Sequence, residues 1–94
     1  MIVTIAIDFD DTYTADPVLW DAFIASAIER GHKVYCVTCR RDTEDNRDVV
    51  RIACLPPHRH LFTGLSAKRW YCEKRGVKVD VWVDDLPSCV EEGR

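Results

Sequence analysis

The apolar residues of this chain fall into short β-branched runs that alternate with longer stretches of helical periodicity. The first run, residues 2–7, has almost no polar position, which is typical of a central strand covered by helices on both faces. Asp16 and Pro17 then form a helix-start signal, and Gly31 stands where a helix is expected to end. The apolar positions between them repeat at helical spacing: Leu19, Trp20, Phe23, Ile24, Ala27 and Ile28.

The rest of the chain continues this alternation of strands and helices. A helix that would stop at Pro56 and Pro57 is predicted before the third strand, and Ser66 is the expected cap of the helix after it. Alternating valines indicate the fourth strand. In chain order the predicted elements are a strand at 33–37, a helix at 42–53, a strand at 60–62, a helix at 66–76, a strand at 77–83 and one or two helical turns from 87.

This order, β-α-β-α-β-α-β, predicts an α/β fold. Right-handed crossovers between the strands give a small, doubly wound, Rossmann-like parallel sheet of about four strands, in the order 3-2-1-4, with helices on both faces. A length of 94 residues is expected to form a single domain, residues 1–94, without a cap domain.

Charge and composition restrict the classes of partner. The net charge of −3 indicates no overall attraction for nucleic acid, although a local basic patch stays open. No apolar run approaches the roughly 20 residues of a membrane span, and the first residues lack the basic start of a signal peptide. The five cysteines are an odd number, so free thiols and a cytoplasmic location are expected.

Polar residues with a common chemistry follow the predicted strands. The carboxyl ends of parallel strands meet at one edge of the sheet, so we expect these side chains to gather there. Crowded carboxylates repel each other, and a hard divalent cation such as Mg²⁺ would compensate them. A lysine and a hydroxyl beside them suit a phosphoryl group. The set comprises Asp8, Asp10, Thr38, Arg40, Lys68, Asp84 and Asp85.

These residues, in this order, resemble the four motifs of the haloacid dehalogenase (HAD) superfamily of phosphatases. The first motif, Asp-x-Asp-x-Thr after an apolar strand, is present from Asp8 to Thr12. The second, a strand that ends in Thr or Ser, matches 34–38, and the third matches Lys68. The fourth, a strand that ends in paired acids, matches 81–85. The resemblance spans nearly the whole chain and implies a minimal, capless member with a Rossmann-like core.

The resemblance implies a Mg²⁺-dependent phosphomonoester hydrolase with an aspartyl-phosphate intermediate. Asp8 would be the nucleophile, and Asp10 the general acid and base. Mg²⁺ would be held by Asp8, by the backbone carbonyl of Asp10 and by Asp84.

The remaining motif residues would serve the substrate. Thr38 and Lys68 would bind the transferring phosphoryl group. Asp85 would orient Lys68 or a metal-bound water. Arg40 lies outside the four motifs and is expected either to contact the substrate or to be an ordinary surface arginine beside Asp42 and Glu44.

Two features depart from the family pattern. Asp11 stands where many members have glycine, and only residues 13–15 separate Thr12 from the helix cap. An uncovered site suits a large substrate, such as a phosphorylated protein or nucleic-acid end, or closure by a second subunit of a homo-oligomer. The sequence therefore leaves open whether the substrate is a small molecule or a macromolecule.

Other functions remain as alternatives. The chief one is a catalytically idle binding or regulatory module of the same fold. A receiver domain or a Toprim nuclease would carry its acids in another order, and a dinucleotide-binding enzyme would need the Gly-x-Gly-x-x-Gly that this chain lacks.

Single residues of this set also have ordinary structural explanations. Strand-end aspartates often cap turns, and Lys68 alone would be a solvated helix lysine. Cys36 and Cys39 have zinc-ligand spacing, but an extended strand would direct them to opposite faces. The three tryptophans are expected to pack in the core.

Overall fold

The computed structural model describes residues 1–93, which form a four-stranded, all-parallel sheet with the order β3-β2-β1-β4. The strands are β1 (Thr4–Ile7), β2 (Lys33–Thr38), β3 (His60–Phe62) and β4 (Val81–Val83). The helices are α1 (Pro17–Glu29), α2 (Glu44–Val49), α3 (Lys68–Lys74) and α4 (Ser88–Glu91). Short 3₁₀ turns occupy Tyr13–Ala15 and Pro57–Arg59. The predicted fold class and strand order are confirmed.

Helices cover both faces of the sheet, as the apolar first strand predicted. On one face, Ile5 and Ile7 pack in a cluster with Ile24 of α1 and with Val50, which follows α2. On the other face, Ala6 of β1 packs with Val37, Val79 and Cys72 of α3. Because alternate residues of β1 are buried on opposite faces, this strand is central, and its carboxyl end opens at the middle of one sheet edge.

Local signals explain where the elements begin and end. The Asp16 carboxylate accepts a hydrogen bond of 3.1 Å from the Leu19 backbone N–H and so caps α1, as predicted. Gly31 adopts the left-handed φ of 88° that ends this helix, a conformation that glycine reaches without a steric penalty. The 13 residues of α1 make it the longest helix within residues 1–93, and none of the helices there is long and apolar enough to cross a membrane.

Three predicted boundaries were wrong. The second helix starts after its cap Thr43 and stops at Val49, because the chain leaves the helix to bury Val50 and Ile52 against the sheet. The third helix has Ala67, not Ser66, at its cap position. The fourth strand is limited to three residues, since Val77 and Val79 pack against the sheet face ahead of it.

The tryptophan prediction was wrong for one residue. Trp20 and Trp82 pack partly buried against the two core clusters. Trp70 of α3 is 54% exposed, because it lies on the side of that helix away from the buried Cys72.

Candidate functional site

The candidate site lies at the carboxyl edge of the sheet, between the ends of β1 and β4. Asp8 directly follows β1 and extends the ladder, since its backbone N–H donates to the Val83 carbonyl at 2.9 Å. A cavity of about 200 Å³ opens beside it. The lining residues are Asp8, Asp10, Asp11, Cys39, Lys68, Asp84, Asp85, Leu86 and Cys89.

Lys68, the first residue of α3, places a buried ammonium group between two carboxylates. Its Nζ donates hydrogen bonds of 2.8 Å to Asp8 Oδ1 and of 2.6 Å to Asp84 Oδ2. All three side chains are at least nine-tenths buried. Burial lowers the pKa of Lys68, but its hydrogen bonds and ion pairs with the two carboxylates outweigh that effect and raise the pKa overall. Lys68 is therefore cationic at neutral pH.

The carboxyl group of Asp8 has an unusual protonation equilibrium. Burial raises its pKa to about 6, and the hydrogen bond and positive charge of Lys68 oppose this rise only in part. Asp84 adds a smaller repulsion in the same direction as burial. Above pH 6 Asp8 is nevertheless mostly ionised and can act as a nucleophile or as a metal ligand.

Thr12 connects the first and last motifs. Its hydroxyl accepts a hydrogen bond of 3.1 Å from the Asp85 backbone N–H. The same hydroxyl can donate to Asp85 Oδ1 at 3.1 Å or, less closely, to Asp8 Oδ2 at 3.4 Å. Hydrogen bonds with Asp8 and with Thr12 lower the pKa of Asp85. The sequence predicts no specific role for Thr12, although its place in the first motif is a signal for one.

Three carboxylates can converge on a single cation. One ligand oxygen from each of Asp8, Asp84 and Asp85 lies within 4.8 Å of the others. Asp8 is buried, Asp84 has a buried side chain although the residue as a whole is partly exposed, and Asp85 is exposed. Together with Lys68 they carry a formal charge of −2, and hard oxygen ligands of this charge fit a divalent ion such as Mg²⁺. These donors could therefore bind a metal ion.

The Asp10 carboxylate lies outside this group because Arg40 holds it. Arg40 Nε and Nη2 donate hydrogen bonds of 2.8 Å to the two Asp10 carboxylate oxygens. This pairing lowers the pKa of Asp10 and holds it as a carboxylate. The predicted contribution of the Asp10 backbone carbonyl to a metal site stays a prediction. The Arg40–Asp10 pair had no signal in the sequence, where the residues stand 30 positions apart.

Arg40 is fixed at the mouth of the cavity by several contacts. Its Nη1 donates to the Asn46 side-chain oxygen at 3.2 Å, and its guanidinium lies 5.9 Å from the centre of the Phe9 ring. Its backbone N–H donates to the Thr38 hydroxyl at 3.3 Å. Thr38 is buried at the end of β2 and is not among the residues that line the cavity. Its predicted phosphate contact stays a prediction.

The zinc alternative gains no support from the geometry. All five cysteines are free thiols, and Cys36 is buried in the core while Cys39 is half-buried. Burial raises the pKa of Cys36 to about 12, so it stays a neutral thiol. In the part of the chain that the structure describes, the ligands that converge are carboxylates alone.

A scan against models of known protein families, a search of curated proteins and a search of solved structures each found no match to this chain. The residues and their geometry therefore carry the functional interpretation.

Proposed function

We propose that this protein is a Mg²⁺-dependent phosphomonoester hydrolase that works through an aspartyl-phosphate on Asp8. The observation that carries the proposal is the buried Lys68 ammonium between Asp8 and Asp84, beside a third carboxylate. This arrangement supplies a nucleophile, a fixed positive charge and oxygen ligands within one small cavity. The resemblance of the four motifs to HAD phosphatases supports the same proposal.

Asp8, Asp84 and Asp85 are the side chains that would hold Mg²⁺. When bound, Mg²⁺ would offset the negative charges that otherwise repel an incoming phosphate from the Asp8 carboxylate. The formal charge of −2 on the three acids and Lys68 would then be neutralised.

In the first half-reaction a carboxylate oxygen of Asp8 attacks phosphorus. An Asp8 oxygen–phosphorus bond forms, and the bond from phosphorus to the ester oxygen breaks. The Lys68 ammonium and the Thr38 hydroxyl stabilise the charge on the phosphoryl oxygens. The displaced alkoxide needs a proton, and Asp10 is the proposed donor; for this it must first leave Arg40 and take up a proton from solvent, because the pairing holds it as a carboxylate.

In the second half-reaction Asp10 accepts a proton from water as that water attacks the phosphorus of the aspartyl-phosphate. The Asp8 oxygen–phosphorus bond then breaks, inorganic phosphate leaves and both carboxyl groups return to their initial states. Because Arg40 occupies both Asp10 oxygens, this proton transfer requires Asp10 to leave Arg40 first.

The test is hydrolysis of para-nitrophenyl phosphate with and without Mg²⁺. We expect turnover that requires the metal, is abolished by Asp8→Asn or Asp10→Asn, and is retained by Asp48→Asn, which changes an exposed carboxylate of α2. A covalent phosphoenzyme should be trapped by acid quench in wild type and absent from Asp8→Asn.

The chief alternative, an idle binding module of the same fold, predicts a different result. Purified protein would show no turnover and would bind neither Mg²⁺ nor a phosphate-mimicking fluoride. The physiological substrate is not specified by the catalytic cavity, whose volume of about 200 Å³ accommodates a phosphoryl group but little more. A metabolite, a macromolecule and closure by a second subunit are all compatible with such an open site.

A further inference from the structure

The charges of this acidic protein are strongly segregated along the chain. Residues 49–79 contain seven Arg and Lys but a single acid, Glu73, which gives a net charge of +6. The remaining residues contain six Arg and Lys and fifteen acids, a net charge of −9. The overall charge of −3 therefore conceals a basic segment of the chain, although Lys68, Arg51 and Arg69 within it are ion-paired. The basic residues of the segment are Arg51, Arg59, Lys68, Arg69, Lys74, Arg75 and Lys78.

Four of these cations lie over aromatic rings on the α3 side of the sheet, and one of them, Arg69 over Trp82, is also ion-paired with Glu91. The Arg75 guanidinium is 3.4 Å from the Tyr71 ring centre, and the Lys74 ammonium is 5.3 Å from that of Trp70. The Arg59 guanidinium is 4.8 Å from the ring centre of Tyr35 in β2. We name the other three cations and their rings the basic aromatic strip; it consists of Tyr35, Arg59, Trp70, Tyr71, Lys74 and Arg75.

All members of the strip belong to α3, to its end or to the side of the sheet that α3 covers. Tyr35 is in register with Ala6, which packs against Cys72 of α3, so its ring lies on the α3 face of the sheet. Tyr71 and Arg75 are one helical turn apart, as are Trp70 and Lys74, so the two pairs lie on adjacent sides of α3. Trp70 presents the most exposed ring, with 54% of the residue accessible.

The cations of the strip differ in their partners from four other arginines of the chain. Arg40, Arg47, Arg51 and Arg69 each form an ion pair with an acid. Within residues 1–93, no carboxylate forms an ion pair with Arg59, Lys74 or Arg75. Their charges are therefore not neutralised by the protein and are available to an external anion.

We propose that the basic aromatic strip binds single-stranded nucleic acid. Its cations would contact successive phosphates, while unpaired bases would stack on Trp70, on Tyr71 and on the guanidinium that covers it. A duplex hides the faces of its bases from such rings, and an acidic peptide would use the cations but leave the rings unused. Cations interleaved with the exposed Trp70 ring and the half-buried rings of Tyr35 and Tyr71 therefore favour a single strand over both.

The position of the strip relates it to the candidate catalytic site. Lys68 in that site and Lys74 in the strip stand at the two ends of α3, about 9 Å apart along the helix axis at 1.5 Å per residue. A strand on the strip would reach the cavity with its terminal nucleotide. This extension, that the substrate is the phosphorylated end of a nucleic acid, rests on the proposed function; binding by the strip does not.

Binding is tested by fluorescence anisotropy with fluorescein-labelled 12-nucleotide oligothymidylate, in EDTA and with the Asp8→Asn protein, so that catalysis plays no part. We expect saturable binding that weakens with salt, with a slope of log K against log salt of about −2 for three phosphate contacts. Trp70→Ala should lower the affinity about tenfold through lost stacking. Lys74→Ala with Arg75→Ala should lower it at least as much and flatten the salt slope.

The matched control is Arg47→Ala with Arg51→Ala, which removes the same charge from exposed residues outside the strip. It should leave the affinity within about twofold of its starting value, since neither side chain belongs to the proposed site. The proposal is overturned by absence of binding at 50 mM salt, by an equal loss in this control, or by duplex binding as tight as single-strand binding with no effect of Trp70→Ala. Circular dichroism of each variant separates these results from misfolding.

A separate kinetic measurement tests whether the substrate is the phosphorylated end of a nucleic acid. With a 3′- or 5′-phosphorylated oligonucleotide as substrate, Lys74→Ala with Arg75→Ala should raise KM about tenfold while kcat and the hydrolysis of para-nitrophenyl phosphate stay unchanged. If aryl phosphate is hydrolysed but phosphorylated oligonucleotides are not, the substrate extension is wrong and the phosphatase proposal survives. If the strip binds oligonucleotide but no phosphate ester is hydrolysed, the phosphatase proposal is wrong and the binding surface survives.

Discussion

Arg40 donates two parallel hydrogen bonds of 2.8 Å to the Asp10 carboxylate, and this pair separates Asp10 from the cluster of Asp8, Asp84 and Asp85. Arg40 is itself held by Asn46. The two aspartates of the first motif therefore have opposite electrostatic environments. Burial raises the pKa of Asp8 to about 6, while Arg40 lowers the pKa of Asp10. The pKa values lie in the opposite order to the one that a nucleophile Asp8 and a general acid Asp10 need, so the proposed roles require Asp10 to leave Arg40 and take up a proton.

The first prediction concerns the protonation of Asp10 in Arg40→Ala. A general acid must be protonated, and Arg40 holds Asp10 as a carboxylate by lowering its pKa. Loss of Arg40 raises the pKa of Asp10 toward its ordinary value and increases the protonated fraction. At a fixed pH, kcat for an alkyl phosphate, whose leaving group needs a proton, should therefore rise relative to kcat for para-nitrophenyl phosphate. Arg47→Ala, which breaks an exposed ion pair with Asp42, should leave this ratio unchanged, and an unchanged ratio in Arg40→Ala would remove Asp10 from the acid role.

The second prediction concerns stability without metal. The folded-state pKa of Asp8 lies above its ordinary value, so ionisation of Asp8 destabilises the fold. The stability that the protein has with Asp8 protonated is therefore lost as pH rises from about 4 to 6. Asp8→Asn should therefore be more stable than wild type at pH 7 in EDTA, by about 1–3 kcal/mol at 1.36 kcal/mol per pKa unit. At pH 4 the difference should nearly vanish.

Urea unfolding at both pH values measures this difference. Asp48→Asn, which alters an exposed carboxylate, should show no such pH-dependent gain. A wild type that is more stable than Asp8→Asn at pH 7 would contradict the raised pKa of Asp8.

The third prediction concerns the buried ammonium. Lys68→Met leaves the carboxylates of Asp8 and Asp84 facing each other without a cation, at a cost of about 3–5 kcal/mol of unfolding free energy. Added Mg²⁺ should restore part of the Tm, since it replaces the missing positive charge. Lys74→Met, on the exposed part of the same helix, should change Tm little and respond to Mg²⁺ like wild type. A Lys68→Met protein as stable as wild type would show that the ion pairs are not formed.

The fourth prediction concerns which aspartate side chains bind Mg²⁺. Asp85→Asn should weaken Mg²⁺ binding at least about tenfold, measured by calorimetry, because it removes a ligand from the cluster. Asp10→Asn should weaken it less, because the Asp10 carboxylate is paired with Arg40 and its expected contribution is the backbone carbonyl. Equal losses in the two variants would place the Asp10 carboxylate among the ligands.

The sequence predicted the parts of this structure that depend on local signals or on repeating patterns. The cap at Asp16, the apolar β1 and the topology rules were sufficient for the parallel sheet and its strand order. The acids at the ends of β1 and β4 could be placed together because parallel strands share one edge. Helix lengths were less predictable, since the burial of Val50 in tertiary packing overrode the helical pattern.

Side-chain partnerships were the least predictable feature. Arg40 could be read from sequence as a surface or substrate residue, but its bidentate contact with Asp10 depends on the approach of the β1 and β2 loops in three dimensions. Thr12 likewise meets Asp85 across 73 residues of sequence. The apolar pattern around Trp70 does not show whether its side chain is buried or exposed. Its exposure depends on the orientation of α3 in the folded protein.

The Lys68 ammonium also has a consequence for the order of assembly. Many small metal-binding domains cannot close around their acidic or thiolate ligands until the ion arrives, so folding and metal uptake are one event. Here a residue of the chain already bridges two of the carboxylates, and the polypeptide supplies its own internal counter-ion. If the cluster binds an ion as proposed, folding should not depend on that ion, which could be loaded, lost and replaced on a scaffold that stays intact.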